Sequence, residues 1–128
     1  MNTFTLVRTE HLNHHGFLFG GQLLKWVDEL AWLAASRDYS GHTLVTRAID
    51  TVNFRKRVVN GSILRFEIIR AKQGNSSVAY SVDVWADSPG AADEEQVFST
   101  QLTFVCLDAA GNKCALPTLD RIRSEECL

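Results

Sequence analysis

The sequence has few of the features that mark secreted, membrane-bound or nucleic-acid-binding chains. Its 128 residues include only three cysteines, with no CxxC pair, which favours reduced thiols in a cytoplasmic protein. The formal net charge of −2 gives no basic surface field, so we expect no nucleic-acid partner. No apolar run reaches the length of a membrane span, and the first ten residues lack the basic and apolar segments of a secretory signal.

With those classes excluded, we expect one ordinary cytoplasmic domain. Hydrophobic residues make up 45% of the chain and charged residues 22%, which is typical of a soluble globular protein with a real core. We therefore expect a single domain over residues 1–128, with a charged tail from about residue 118 that is only loosely ordered. No membrane partner is expected.

Neither the cysteines nor the histidines form a pattern that predicts a metal site. Cys106 lies in an apolar run and is expected to be a core thiol rather than a nucleophile. His11, His14 and His15 share one loop but lack the i, i+4 helical spacing and a companion set of carboxylates. The sequence predicts no bound metal.

What is present is one helix among several strands. An apolar stripe at helical spacing predicts a helix over residues 20–36, and alternating apolar residues predict strands at about 3–8, 43–54, 63–70, 78–84 and 98–106. A single helix with such a stripe needs a curved antiparallel sheet of five or six strands to cover it, which is an α+β fold. Such a sheet keeps an open edge, so dimerisation through edge strands is expected.

One carboxylate breaks the helical pattern. Asp28 follows Leu24 by four residues and precedes Ala31 by three, so it points the same way as these apolar residues. A carboxylate in that position is costly unless it is hydrogen-bonded, paired or used in chemistry. Function is therefore sought around residues 13–28.

The motif around Asp28 resembles a known family. The string Asn13-x-x-Gly16-x-x-Phe19-Gly20-Gly21-x6-Asp28 resembles the hallmark of the hotdog-fold acyl-CoA thioesterases, specifically the cytosolic acyl-CoA hydrolase subgroup. Further similarities follow in order: Val45-Thr46, Phe54-Arg-Lys-Arg57-Val58 (family F-x-x-P-V), Gly74-Asn75-Ser76-Ser77 (family G-x-S-S) and the closing strand 104–108. The resemblance covers residues 13–117, and its clearest departure is Arg57 where proline is usual.

This resemblance implies a hotdog fold and hydrolysis of acyl-CoA to a free carboxylic acid and coenzyme A, without a metal or redox cofactor. In the family, the asparagine and the aspartate of one active site come from different protomers. The resemblance therefore implies at least a homodimer with active sites at its interface, and family members often form tetramers or hexamers.

Each residue of the motif has a chemical interpretation and a structural alternative. Asp28 would act as general base for water or as the nucleophile, and the alternative is a structural carboxylate. Asn13 would hold the attacking water or the thioester carbonyl, and the alternative is a turn-forming asparagine. The backbone N–H groups of Gly20 and Gly21 would form an oxyanion site, each donor contributing roughly 3 kcal/mol, and the alternative is a tight turn into the helix.

Two further segments are candidates for coenzyme A binding. The basic cluster Arg55, Lys56 and Arg57 would contact the phosphates, although a solvated charged turn is the alternative. The segment Gly74, Asn75, Ser76 and Ser77 would offer backbone and hydroxyl donors, as it does in the family, although a plain turn is the alternative.

Two other functions fit the same scaffold. A hotdog hydroxyacyl dehydratase or hydratase would use His14 or His15 together with Asp28, but the proline-rich loop of those enzymes is missing here. A non-catalytic acyl-CoA-binding domain would keep the pocket without turnover. The sequence favours the thioesterase.

Overall fold

In the computed structural model, which describes residues 1–118, one helix packs on a five-stranded antiparallel sheet. The elements are β1 (Asn2–Leu6), a 3-10 turn (Thr9–His11), α1 (Gly20–Asp38), β2 (Thr43–Phe54), β3 (Ile63–Gln73), β4 (Ser77–Asp87) and β5 (Glu95–Leu107). The order of strands across the sheet is β1-β3-β4-β5-β2. The expected loose tail, including Cys127, lies outside the described residues, so that expectation stays a prediction.

The helix α1 is held against the sheet by the predicted apolar stripe. Its fully buried residues are Leu23, Val27, Ala31, Ala34 and Ala35. The three alanines let the helix backbone approach the sheet closely, because they add little volume at the contact. The helix ends at Asp38, two residues later than predicted, and Gly41 then takes the positive φ of 85° that turns the chain toward β2.

The inward face of the sheet is the apolar set that alternation predicts. Side chains at alternate positions of the three central strands are buried against α1: Leu64, Phe66, Ile68, Val78, Tyr80, Val82, Val84, Phe98, Leu102, Phe104 and Cys106. The first strand is shorter than predicted, since it ends at Leu6. Val7 N–H donates to Ser62 O, the next residue in register, but the N–H that bonds to Val7 O comes from Gly61, which ends the regular ladder. Arg8 then precedes the 3-10 turn that begins at Thr9.

The strand β2 is a long and exposed edge. It has 12 residues, of which only Leu44 is buried, and it pairs along one side only, with β5. A bulge interrupts this pairing between Asp50 and Asn53, and inside it Thr51 has a φ of 52°, which is rare for a β-branched residue. The other edge of β2 has no partner strand in the described chain, and the exposed apolar side chains of β2 include Val45 and Ile49.

No helix among residues 1–118 is both long enough and apolar enough to span a bilayer.

Candidate active site

Asn13 shapes the loop before α1 with its side-chain oxygen. Asn13 Oδ1 accepts hydrogen bonds from the N–H groups of His15 (2.9 Å) and Phe17 (3.2 Å), while Asn13 N–H donates to Phe17 O (2.7 Å). These bonds fix the orientation of the amide, because the oxygen must face the turn. Asn13 therefore stabilises this turn through Oδ1, and its Nδ2 group makes no hydrogen bond within the described residues.

The first turn of α1 begins at the two glycines. Phe19 precedes the helix in an extended conformation, and no side chain caps it. Among the described residues, neither Gly20 nor Gly21 N–H donates to a protein acceptor, whereas Gln22 N–H bonds to Phe19 O. A Cβ at Gly20 would lie 3.3 Å from the Phe54 ring, and a Cβ at Gly21 would lie 2.6 Å from the Phe19 ring. Glycine therefore permits both the close aromatic packing and access to these donors.

A cleft of about 640 Å³ opens beside this turn. Its walls combine polar, apolar and cationic groups: Asn13, His15, Phe17, Leu18, Gly20, Leu23, Phe54, Arg55, Lys56, Arg57 and Val58. The cleft thus brings together Asn13, Gly20 and the whole basic cluster. Gly21, Asp28 and the segment 74–77 are not part of its lining. His15 lines the cleft, whereas His14 is exposed beside it, with the two imidazole centroids 3.9 Å apart.

The three cations of the basic cluster are not equivalent. Lys56 Nζ lies 3.0 Å from Glu95 Oε2, so its charge is already partnered. Arg55 Nη2 makes a longer hydrogen bond of 3.3 Å to Ser99 Oγ. The guanidinium of Arg57 lies 4.9 Å from the centre of the Phe17 ring, a cation–π contact that holds it over the cleft. Arg57 and Arg55 therefore remain available to an anionic ligand, and Lys56 much less so.

Asp28 lies outside this cleft, further along α1. Asp28 is partly buried, and its Oδ1 accepts a hydrogen bond of 2.7 Å from Thr46 Oγ1 at the start of β2. Gly20 and Asp28 are eight residues apart on one helix, which corresponds to about 12 Å along its axis. A general base must approach the reacting atoms within hydrogen-bond distance. Within one protomer, the helix therefore keeps Asp28 apart from the candidate donors at Gly20.

Thr46 is a site residue that sequence reasoning missed. Val45-Thr46 matches the family pattern, but nothing local shows that its hydroxyl reaches a carboxylate 18 residues earlier in the chain. The only available signal was a hydroxyl at the start of a strand that follows the helix.

The segment 74–77 is also separate from the basic cluster. It forms the β3–β4 hairpin, in which Gly74 N–H bonds to Ser77 O. Ser76 O accepts the N–H of Cys106 in β5, and Asn75 O accepts the N–H of Leu116 beyond β5. The ladder aligns Val78 with Phe104 and Thr46, whereas Val84 aligns with Phe98 and Phe54. Six residues of β4 correspond to about 20 Å. The two segments expected to bind coenzyme A therefore lie at opposite ends of the sheet of one protomer.

No group of three or more His, Cys, Asp or Glu side chains within residues 1–118 is arranged to hold a metal ion.

Comparison with known proteins identifies the family. The thioesterase superfamily model matches residues 15–92, more than half of the chain. The chain belongs to the thioesterase superfamily. An uncharacterized acyl-CoA thioester hydrolase of Bacillus subtilis, YkhA, is 30% identical over 116 residues, which is 91% of this chain and 67% of that protein. The acetyl-coenzyme A thioesterase of Rattus norvegicus is 31% identical over 123 residues, but this chain spans only 22% of its length.

Solved structures of thioesterases share the whole fold. The acyl-CoA hydrolase of Staphylococcus aureus, solved with butyryl coenzyme A and coenzyme A, has 28% identity and a TM-score of 0.83, covering 98% of this chain and 77% of that one. A hexameric thioesterase from Yersinia pestis has 27% identity and a TM-score of 0.82, covering 91% and 93%. The predicted hotdog α+β fold and the assignment to the acyl-CoA thioesterases are confirmed.

Variants of the Staphylococcus aureus enzyme show a matching spacing. They replace an asparagine, an aspartate fifteen residues later, or a threonine seventeen residues after that aspartate by alanine. Asn13 and Asp28 are also fifteen residues apart, whereas Thr46 follows Asp28 by 18 residues, one more than in that enzyme.

The geometry of the Asn13 turn makes a direct prediction. In Asn13→Ala, the N–H groups of His15 and Phe17 lose their acceptor, so their amide hydrogen exchange should accelerate by about tenfold, which corresponds to about 1.4 kcal/mol of local stability. The matched variant Asn13→Asp keeps an acceptor oxygen and should retain the protection. Equal exchange rates in Asn13→Ala and the wild type would contradict this account of the turn.

Proposed function

We propose that this thioesterase hydrolyses acyl-CoA at an active site that is completed by two protomers. The observation that carries the proposal is the position of Asp28. Its carboxylate lies beside the exposed edge strand β2, about 12 Å along the helix from the donor at Gly20 and outside the cleft that Asn13 and Gly20 line. The reactive carboxylate and the oxyanion site that serve the same carbonyl must therefore come from different copies of the chain.

Antiparallel pairing of two β2 edges supports this arrangement. A twofold axis between two such strands reverses their direction, so the Thr46 end of one β2 lies opposite the Phe54 end of the other. Thr46 holds Asp28, and Phe54 lines the cleft that contains Asn13 and Gly20. The same operation brings the segment 74–77 of one protomer toward the basic cluster of its partner. A single twofold axis would thus bring Asp28 of one protomer toward the donors of the other, and segment 74–77 of one toward the basic cluster of the other.

The proposed chemistry uses polar atoms that no hydrogen bond within the described residues occupies. The Nδ2 group of Asn13 and the N–H groups at Gly20 and Gly21 would donate to the carbonyl oxygen of the thioester and stabilise its negative charge in the transition state. Thr46 occupies Oδ1 of Asp28 and leaves Oδ2 for the reaction. The carboxylate then either removes a proton from water as the water attacks the carbonyl carbon, or attacks that carbon itself. In the first route the C–S bond breaks, the acyl group leaves as the free acid, and the coenzyme A sulfur takes up the proton removed from water. In the second route the sulfur leaves as a thiolate, and water then hydrolyses the acyl anhydride on Asp28, which releases the free acid and supplies the proton to the thiolate.

The cleft also supports recognition of coenzyme A. Its lining contains three cationic residues and no carboxylate, while Phe17, Phe54 and their neighbours provide an apolar wall. Phosphate groups favour guanidinium partners, because two N–H groups can bind two oxygens at once. Arg57, which stands where the family usually has proline, adds a cation that is held in place by Phe17.

Replacing the acid should remove the activity and keep the fold. In Asp28→Asn, release of free thiol from acyl-CoA should fall by about a thousandfold in kcat, because neither base nor nucleophile remains. The matched control Glu29→Gln changes the neighbouring exposed carboxylate and should retain wild-type turnover. Substantial thiol release by Asp28→Asn would overturn the assignment of the acid. Enoyl hydration that depends on His15, without thiol release, would instead indicate a hydratase.

Because Arg57 and Lys56 differ in their contacts, their replacement should change substrate binding to different extents. Arg57→Ala should raise KM for acyl-CoA by about tenfold with little change in kcat, because a charge-assisted hydrogen bond contributes about 1.5–3 kcal/mol. Lys56→Ala should raise KM by less than about twofold, since Glu95 already neutralises Lys56 in an exposed ion pair. An effect of Lys56→Ala as large as that of Arg57→Ala would contradict this ranking.

A further inference from the structure

Two cysteines outside the proposed active site face each other across the end of the sheet. β5 ends at Leu107, the chain turns at residues 108–112, and it then returns antiparallel to β5. Leu107 pairs with Lys113 in this return, and Cys114 N–H donates to Cys106 O at 3.0 Å. The same register therefore places Cys114 directly opposite Cys106.

This register suits a disulfide bond. Directly opposed residues at a hydrogen-bonded position of an antiparallel ladder have Cα atoms about 5.5 Å apart, and their side chains lie on the same face. Disulfides connect Cα atoms that are about 4.4–6.8 Å apart, so the backbone does not have to move. Both cysteines are free thiols here.

The two thiols differ in exposure. Cys106 is completely buried among core residues, whereas Cys114 packs against that core and remains partly exposed. Burial, together with the neighbouring Cys114 thiol, raises the pKa of Cys106 to about 11. External reagents therefore meet Cys114 first, and Cys106 reacts only with a sulfur that is already beside it.

We propose that Cys106 and Cys114 form a redox modification site that a low-molecular-weight disulfide converts into an internal disulfide bond. The Cys114 thiolate attacks one sulfur of the small disulfide, forms a mixed disulfide and releases one thiol molecule. Cys106 then loses its proton and attacks the Cys114 sulfur, which releases the second thiol molecule. The protein loses two protons and two electrons, and the small disulfide is reduced to two thiols.

The disulfide bond would fix the position of the chain after β5, which is hydrogen-bonded to the hairpin 74–77. Ser76 O accepts the N–H of Cys106, and Asn75 O accepts the N–H of Leu116, both at 2.8 Å. Linking Cys106 to Cys114 would hold both of these contacts in place. An effect of oxidation on KM for acyl-CoA rests on the proposed function of this hairpin, whereas formation of the bond does not.

The experiment uses the full chain with Cys127→Ser, so that only the two facing thiols remain. Treatment with oxidised glutathione should give a protein that has lost two hydrogen atoms, carries no glutathione and yields a Cys106–Cys114 cross-linked peptide in mass spectrometry. Its Tm should rise by about 5 °C over the reduced form, since a short loop of the unfolded chain becomes closed. Reduction with dithiothreitol should reverse both changes.

The matched control adds Cys106→Ser to the Cys127→Ser chain, and it should stop at a stable glutathione adduct on Cys114. The proposal is overturned if the chain with both thiols also stops at that adduct, or if it stays fully reduced under conditions that modify unfolded protein. Because mass and Tm do not depend on catalysis, these results stand apart from the thiol-release assay of the active site.

Discussion

The rigid spacing of α1 is the constraint on which the account of this protein depends. The helix fixes Gly20 and Asp28 about 12 Å apart along its axis, and its buried alanines fix the helix on the sheet. Hydrolysis of a thioester needs both an oxyanion site and a general base or nucleophile within reach of the same carbonyl. Under the proposed function, the protein meets this need by combining Asp28 of one copy with the donors of another, so the active site and the quaternary structure are linked.

The edge strand β2 is the surface proposed for that assembly. A long edge strand with unpaired backbone groups and exposed apolar side chains is a liability in a monomer. Here its 12 residues include Val45, Ile49 and Val52, each at least 37% exposed. The bulge at Thr51 adds a strained residue in the middle of the same strand. Strain of this kind persists where the surrounding structure holds it, and a partner strand would do so.

Local patterns in the sequence predicted the elements well. The 3.6-residue period of α1 and the alternation of β3, β4 and β5 each follow from which side chains must be buried, and the buried residues match. The residues 43–54 were predicted as a strand with the observed bounds. Errors fell at the ends of the elements, where tertiary hydrogen bonds such as Val7 N–H to Ser62 O decide the boundary.

Relations between distant residues could not be predicted in this way. The bond from Thr46 to Asp28 and the ion pair of Lys56 with Glu95 join residues 18 and 39 positions apart. The cluster 55–57 and the hairpin 74–77 were expected to bind one coenzyme A. Only the sheet order shows that these two segments lie far apart within one protomer. The motif supplied candidate residues, and the folded chain decides how these residues can meet.

Mixing two inactive variants tests the shared site most directly. Asn13→Ala and Asp28→Asn, each inactive alone, should be co-expressed so that their protomers combine at random. Mixed dimers would then contain one site with both native residues, and thiol release should recover to about one quarter of the wild-type level. Activity that stays at the sum of the two variants would show that each active site lies within one chain, and it would contradict the account.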